Sequence, residues 1–430
     1  MGNCISFGNY NKNYKYMMLF LIFRALNDCI CGFGFEDLYE NTSIFGADIN
    51  NFFMNHALIN TIFCYIGLII LSIIAYKCEH CFKNKNFDNE SPNTSLNSIR
   101  LIHNSPKNEL VFNETQILLN IFLVTFLWVL EDLLISIILV NILKCNDFWS
   151  FKMIFTYLIG KKFFKFQAYR HQIFAIYFIS ILCSILLIIS FIISCLKDDN
   201  NLYKNNPGFI PIGILAYLID LLIESFSNWD AKWLMDSKFI SSNKLLMCYG
   251  ILGFIINSFI SAITTLVKCG SYFNYFCKAG KNEKYLDSFE VYFDEFSKEK
   301  IIIIILHAIT FALKCFFYLL TIKHLTPFHL ISMPTIYYFF KNIILGIYTF
   351  SKKNKSQKDL ILYILEIVTC FLAFFGFSVF LEFIELNFCM CNYNLRRYIV
   401  KRGIINDDLL DDSVISNEEE EKEEEDAFQN

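Results

Sequence analysis

Long apolar segments recur about ten times along this chain of 430 residues, and nearly every one carries an ionisable or strongly polar residue near its middle. A segment needs about 20 mostly apolar residues to cross a bilayer, and a charge within it is costly unless it faces a pathway or a partner. The chain is 55% hydrophobic and only 18% charged, which differs from ordinary soluble proteins. The sequence therefore predicts an all-α, polytopic integral membrane protein, and its intramembrane charges are the candidates for function.

The order of apolar segments and breakers predicts ten transmembrane helices. Their ranges are residues 17–37, 56–76, 116–143, 147–165, 171–196, 209–229, 245–267, 301–321, 327–350 and 359–388. Ten helices divide into two halves of five, which is typical of carriers built from two inverted repeats with the substrate near the middle of the membrane. The predicted repeats are residues 17–196 and 209–388, joined by a lumenal linker at 197–208.

The segments outside the spans predict the topology. Residues 1–16 are expected to be a cytosolic N-terminus, 77–115 a polar cytosolic loop, 268–300 a lumenal loop with an amphipathic helix, and 389–430 an acidic, disordered cytosolic tail. The distribution of Lys and Arg among the loops favours cytosolic termini. We expect the protein in an endomembrane, such as the Golgi or a vacuole, or in the plasma membrane.

Short motifs indicate modification sites. The N-terminal sequence fits myristoylation of Gly2 with palmitoylation of Cys4, and Asn41 begins a glycosylation sequon. Cys269 and Cys277 flank part of one predicted lumenal loop, where they either form a disulfide or remain free. A CxxC sequence begins at Cys78, but it has no second pair nearby, so neither a metal site nor a cofactor is predicted.

Several motifs resemble the drug/metabolite transporter superfamily, specifically the F-type branch of the nucleotide-sugar-transporter-like solute carrier family 35. They are Tyr169-Arg170-His171-Gln172 after Ile154-Phe155-Thr156, Lys232-Trp233-Leu234-Met235, Leu286-Asp287-Ser288-Phe289, Leu325-Thr326-Pro327-Phe328-His329, and the run from Phe380 to Phe388. The resemblance implies the ten-helix fold. Chloroquine-resistance-transporter-like carriers are a neighbouring option. The fourth helix has Trp149, Ser150 and Phe151 where an Arg-Gly-Ser sequence is usual, so the resemblance does not carry over a substrate.

Eight residues in the predicted spans are candidates for a substrate or proton pathway. They are Glu131, Asp132, Lys152, Asp220, Glu224, Lys314, Pro334 and Lys341. Carboxylates in a low dielectric can take up and release protons, whereas lysines there attract anionic substrates. A proline such as Pro334 frees backbone carbonyls that can bind a ligand or bend a helix as a gate.

Each candidate also has a structural alternative. Glu131 and Asp132 are adjacent, so they point about 100° apart on a helix, and Glu131 either lines the pathway or pairs with Lys314. Asp220 and Glu224 share a helix face, where they bind a cation or proton unless Glu224 reaches water. The lysines alternatively extend to the headgroups, and the proline is alternatively a static kink.

These patterns predict a secondary transporter of a small polar metabolite that works by alternating access, coupled to protons or as an exchanger. No GxxxxGK[ST] loop or hydrolase motif is present, so the chain is not expected to be an enzyme. The expected partners are a small-molecule substrate and the bilayer, with a homodimer as an option and without nucleic acid. The alternative is a membrane receptor or scaffold that derives from the carrier fold and no longer transports.

Overall fold

The computed structural model describes residues 5–7, 14–31, 52, 56–87, 114–134, 151–164, 166, 168, 170–196, 209–266, 287–331, 357–381 and 384–386. Apart from one small sheet, the elements in these ranges are helices. The helices are α1 (Tyr14–Cys31), α2 (Ala57–Phe87), α3 (Glu114–Leu134), α4 (Phe151–Phe163), α5 (Arg170–Leu196), α6 (Phe209–Ser237), α7 (Ser242–Leu266), α8 (Phe289–Asp294), α9 (Lys298–His324) and α10 (Gln357–Phe380). A further helix begins at Pro327, where the fixed φ of proline suits a first helical position.

Four of these helices are long and apolar enough to cross a membrane. The segments are Ala57–Cys78, Thr115–Leu134, Ser242–Leu266 and Lys298–His324, with mean hydropathies from 1.9 to 2.4. Many of their exposed side chains are large and apolar, as a lipid-facing surface requires; Ile70, Phe259 and Ile302, for example, are each more than half exposed. The structure thus indicates an integral membrane protein, and these four spans correspond to the predicted second, third, seventh and eighth.

Within the described residues, the region of the predicted fourth span contains a short helix. Helix α4 has 13 residues, which corresponds to a length of about 20 Å, whereas the hydrocarbon core of a bilayer is about 30 Å thick. Its last turn contains the exposed Lys161 and Lys162, which interrupt the apolar pattern. The described helix is therefore too short to cross a membrane by itself.

The predicted tenth span is also shorter than expected. Helix α10 ends at Phe380, and Ile384–Leu386 forms strand β2 instead of continuing the helix. Strand β2 pairs in antiparallel register with strand β1, Ile5–Phe7, so that Ser6 lies opposite Glu385. In both strands apolar residues flank a polar one, and this period of two is the strand pattern.

The described elements belong to two compact units. The first comprises Met1–Met18, Asp147–Asp199 and Phe328–Asn430, and the second comprises Leu19–Asn146 and Asn200–Pro327. The division therefore separates the first five residues of α1 from the rest of that helix. Both units take helices from both predicted halves, so the units do not coincide with the predicted repeats.

The first unit has a core where Phe166, the end of α10 and Phe328 meet. Phe328 is fully buried between the rings of Phe166 and Phe380, with both centroid distances 5.1 Å. The hydroxyl of Tyr14 donates a 2.8 Å hydrogen bond to the carbonyl of Leu381, which caps the end of α10. This contact fixes the beginning of α1 within the unit.

The second unit is organised around α2, which packs on α7 and α9, while α3 packs on α6 and α7. Glycines permit close approach of these helices. A Cβ at Gly67 would lie 2.8 Å from the carbonyl oxygen of Ala308 in α9, and a Cβ at Gly250 would lie 3.0 Å from Ile69. Small residues at helix contacts serve this purpose in membrane proteins.

The connection between α6 and α7 contains a residue with an unusual backbone conformation. Phe239 has a φ of 54° and is 86% exposed. The amides of Lys238 and Ile240 both donate to the carbonyl of Leu234, so the chain turns sharply at the end of α6. Glycine is the usual residue at such a position because it has no Cβ.

Phe239→Gly is therefore expected to raise the free energy of unfolding by about 1 kcal/mol, because it relieves the left-handed strain. Phe239→Ala is the control, because it removes the exposed ring but keeps the Cβ. Unfolding of the purified protein in mixed micelles, followed by circular dichroism, measures the difference. Equal stabilisation by both variants would mean that the ring, and not the backbone conformation, is unfavourable.

Candidate functional site: the Asp132 carboxylate

Asp132, near the described end of α3, receives hydrogen bonds from two other helices. The hydroxyl of Tyr65 in α2 donates to Oδ2 over 2.6 Å, and the hydroxyl of Tyr249 in α7 donates to the same oxygen. Both tyrosines are buried, whereas Asp132 is half-buried. We call these three residues the Asp132 centre.

The absence of a side chain at Gly253 makes room for the Asp132 centre. A Cβ at this position of α7 would lie only 2.3 Å from Cε1 of Tyr65. Tyr65 and Tyr249 then meet edge to face, with their ring centroids 5.5 Å apart. The glycine, one turn beyond Tyr249, therefore determines where the ring of Tyr65 can lie and which oxygen its hydroxyl reaches.

Aromatic side chains enclose the centre on the α3 side. Trp128 lies one turn before Asp132, and its ring meets Tyr249 at 5.4 Å and Tyr318 at 6.2 Å, both edge to face. Tyr318, in α9, donates its hydroxyl to Oδ1 of Asn228 in α6. Five helices thus contribute side chains to one connected group of polar and aromatic residues.

Two further candidate residues lie close to the centre. The charge of Lys314 in α9 interacts electrostatically with Asp132, and its ammonium lies 4.6 Å above the ring of Phe311. The charge of Glu131 in α3 interacts with Tyr318 and Cys315, which both lie in α9. Of the eight predicted pathway residues, the structure therefore brings together Glu131, Asp132 and Lys314.

The two tyrosines of the Asp132 centre lie inside their spans and not at the ends. Tyr65 follows the first residue of α2 by eight positions, or about 12 Å, and Tyr249 follows the first residue of α7 by seven, or about 10 Å. A bilayer has a hydrocarbon core about 30 Å thick, so helices that cross it would hold both tyrosines inside the ends of the spans.

Asp220 and Glu224 lie on the inner face of α6. Both side chains are buried, and Asn228, the partner of Tyr318, follows at the same spacing. The shared face agrees with the prediction from their spacing. Glu224 is only 7% exposed, and both alternatives for its role stay predictions.

One of the remaining candidates lies within the described residues. Lys152 lies at the start of α4 in the first unit, where it is half-buried. The other predicted positions lie outside the described residues: Pro334, Lys341, Gly2, Cys4, Asn41, Cys269 and Cys277.

The sequence interpretation did not identify the tyrosines, Trp128 or Asn228. The only sequence feature that could have pointed to them is a hydroxyl, indole or amide group inside an apolar segment. Many other residues of this chain have that feature. Asn257 and Ser261 give the same weak signal: they are buried on the inner face of α7, and none of the described residues makes a hydrogen bond to their side chains.

No model of a known protein family matches the chain, and no curated protein is similar to it in sequence. The resemblance to drug/metabolite transporters therefore rests on the motifs alone and stays a prediction.

Proposed function

We propose that the protein is a secondary transporter that moves a small polar metabolite by alternating access, coupled to protons or as an exchanger. The observation that supports this function best is the Asp132 centre, a carboxylate that two hydroxyl groups hold between apolar helices. We propose no enzymatic activity.

The type of bond at Asp132 favours a functional carboxylate over a structural one. Charged residues at membrane depth are expensive and normally mark a substrate or proton pathway. A salt bridge would hold the carboxylate to a fixed charge, but a tyrosine hydroxyl can rotate and is both donor and acceptor. The half-buried Asp132 can therefore exchange a hydroxyl partner for a proton, a cation or a polar group of a substrate.

Polar groups continue from the centre along two helices of the second unit. Towards the end of α7 lie Asn257 and Ser261, at successive turns of the face that includes Tyr249. On α6 lie Asn228 and then Glu224, also at successive turns. A row of buried polar side chains across an apolar bundle is the pattern expected of a pathway for water, protons or a polar solute.

The other candidate residues receive roles by the same reasoning. Glu131, Asp220 and Glu224 would contribute proton or cation binding, and Lys152, Lys314 and Lys341 would attract anionic groups, with Pro334 in a gate. We further propose that both termini are cytosolic, in an endomembrane or the plasma membrane, and that the chain acts alone or as a homodimer.

Counterflow exchange in liposomes tests this function. Wild-type protein should exchange one class from a panel of nucleotide sugars, phosphorylated metabolites, amino acids and organic cations. Asp132→Asn should reduce that exchange about 10- to 100-fold, which corresponds to the loss of a charged hydrogen bond worth about 1.5–3 kcal/mol. The neutral amide is nearly the same size, so the loss reports on charge.

Asp236→Asn is the matched control, since Asp236 is an exposed carboxylate at the end of α6 and forms an ion pair with Lys232. It should leave exchange within about twofold of wild type, because surface pairs contribute little. Equal effects of the two substitutions would remove Asp132 from the pathway. Absence of exchange across the panel, in protein that remains folded, would favour the receptor or scaffold instead.

A further inference from the structure

A buried histidine joins the start of α2 to a distant segment of the chain. His56 is fully buried, and its Nδ1 lies 2.8 Å from Oδ1 of Asp287. Asp287 also accepts hydrogen bonds from the backbone amides of Ser288, at 2.8 Å, and of Ile59 in the first turn of α2, at 3.1 Å. Asp287 therefore caps helix α2, and because it is an acceptor for all three groups, Nδ1 of His56 is the donor.

The second ring nitrogen of His56 faces another carboxylate. Nε2 lies 3.6 Å from Oε2 of Glu295, which is too long for a hydrogen bond, and it has no hydrogen-bond partner among the described residues. Glu295 is partly exposed, so its side chain can move the few tenths of an ångström that a bond requires. We call His56, Asp287 and Glu295 the His56 cluster.

The neighbours of the His56 cluster define its electrostatics. Lys300 in α9 donates to the backbone carbonyl of Glu295 at 2.6 Å, and its ammonium lies 4.3 Å above the ring of Phe52. Tyr292 meets the ring of His56 edge to face, and its hydroxyl donates to Asn60. Burial, and next the charge of Asp287, raise the pKa of the Tyr292 phenol, so it stays neutral. The described charges around His56 are thus two carboxylates and one ammonium.

An imidazole between two carboxylates is suited to bind a proton. A neutral His56 can donate only to Asp287, whereas a protonated His56 has a second donor aimed at Glu295.

We infer that His56 is a proton-binding site, and that its protonation holds the segment 287–300 against the beginning of α2. This segment contains α8 and the first residues of α9, and it also contacts α7, where the amide of Phe289 donates to Thr265. Proton binding would therefore strengthen the contacts of one segment with two of the four candidate membrane spans. The site is separate from the Asp132 centre and does not depend on the proposed transport.

Hydrogen exchange of residues 287–300, measured on the full-length protein in detergent, tests the inference. After correction for the intrinsic effect of pH, the wild-type segment should exchange about five- to tenfold more slowly at about pH 5.5 than at about pH 8, because an additional charged hydrogen bond forms. The sign follows from the geometry: the extra bond is present when His56 is protonated and is lost as the pH rises.

Three variants separate the proposed proton site from a structural contact. His56→Gln keeps a polar side chain but cannot bind a proton in this range, so it should remove the pH difference. Glu295→Gln leaves the bond between His56 and Asp287 intact and should reduce the difference at least threefold. Glu299→Gln, a change of the same charge at an exposed position in the first turn of α9, should retain it.

An unchanged pH difference in His56→Gln would overturn the inference, as would equal effects of Glu295→Gln and Glu299→Gln. The second comparison stands on its own if His56→Gln does not fold, because it leaves the buried histidine in place. Since the measurement needs no substrate, its outcome is independent of whether the protein transports.

Discussion

Substitution of Gly253 by alanine is expected to lower the free energy of unfolding by about 2–3 kcal/mol. The added Cβ would lie 2.3–2.5 Å from three ring atoms of Tyr65, distances that no real contact shows. Tyr65 is fully buried and its hydroxyl is bonded to Asp132, so its ring cannot turn aside. Either α7 separates from α2, or Tyr65 leaves Asp132. Unfolding in mixed micelles measures the loss, and it should occur although alanine is the better helix former.

Gly250→Ala is the matched control, because it makes the same chemical change one turn earlier in α7. Its Cβ would lie 3.0–3.2 Å from atoms of Ile69 and Leu68, among them the backbone nitrogen of Ile69, so that α7 and α2 must separate by a few tenths of an ångström. The better helix propensity of alanine, worth about 1 kcal/mol, should offset part of this crowding, so that the loss is smaller than that of Gly253→Ala. If both variants lost the same stability, the close contact of Gly253 with Tyr65 would not be specific.

The sequence predicted the four spans that consist of one continuous apolar segment. The second, third, seventh and eighth were predicted at 56–76, 116–143, 245–267 and 301–321, and the four apolar helices overlap each of these ranges. A continuous apolar segment of sufficient length needs no information from elsewhere in the chain. The count of ten spans and the inverted repeat stay predictions, because they depend on how the segments assemble.

Long-range pairing limited the prediction of the site. Glu131 and Asp132 are adjacent and chemically alike, and which of them meets the tyrosines depends on residues 67 and 117 positions away from Asp132. No periodicity within α3 contains that information. Local sequence patterns also could not predict the pairing of β1 with β2 or the contact of His56 with Asp287. In each case the two partners are more than 200 residues apart in the sequence.

Removal of both hydroxyls from the Asp132 centre, in the double variant Tyr65→Phe with Tyr249→Phe, is expected to lower the free energy of unfolding by about 3 kcal/mol. Each single variant should lose only about 1 kcal/mol, because the other hydroxyl still donates to the same oxygen. Both phenylalanines keep the aromatic packing. The amount by which the loss of the double variant exceeds the sum of the two single losses therefore measures the cost of burying a carboxylate without these donors.

The charge of Asp132 can be separated from its shape by adding Asp132→Asn to the double variant. If the excess comes from a carboxylate left between apolar helices, the neutral amide should recover at least about 1 kcal/mol of the loss, because a neutral polar group is cheaper to bury than a charge. In the background of intact tyrosines, the same substitution should instead be destabilising. Strictly additive tyrosine effects without recovery would contradict this account. In that case the hydroxyls would not stabilise the charge, and the argument that Asp132 can exchange its partners for a proton or a solute would lose its physical basis.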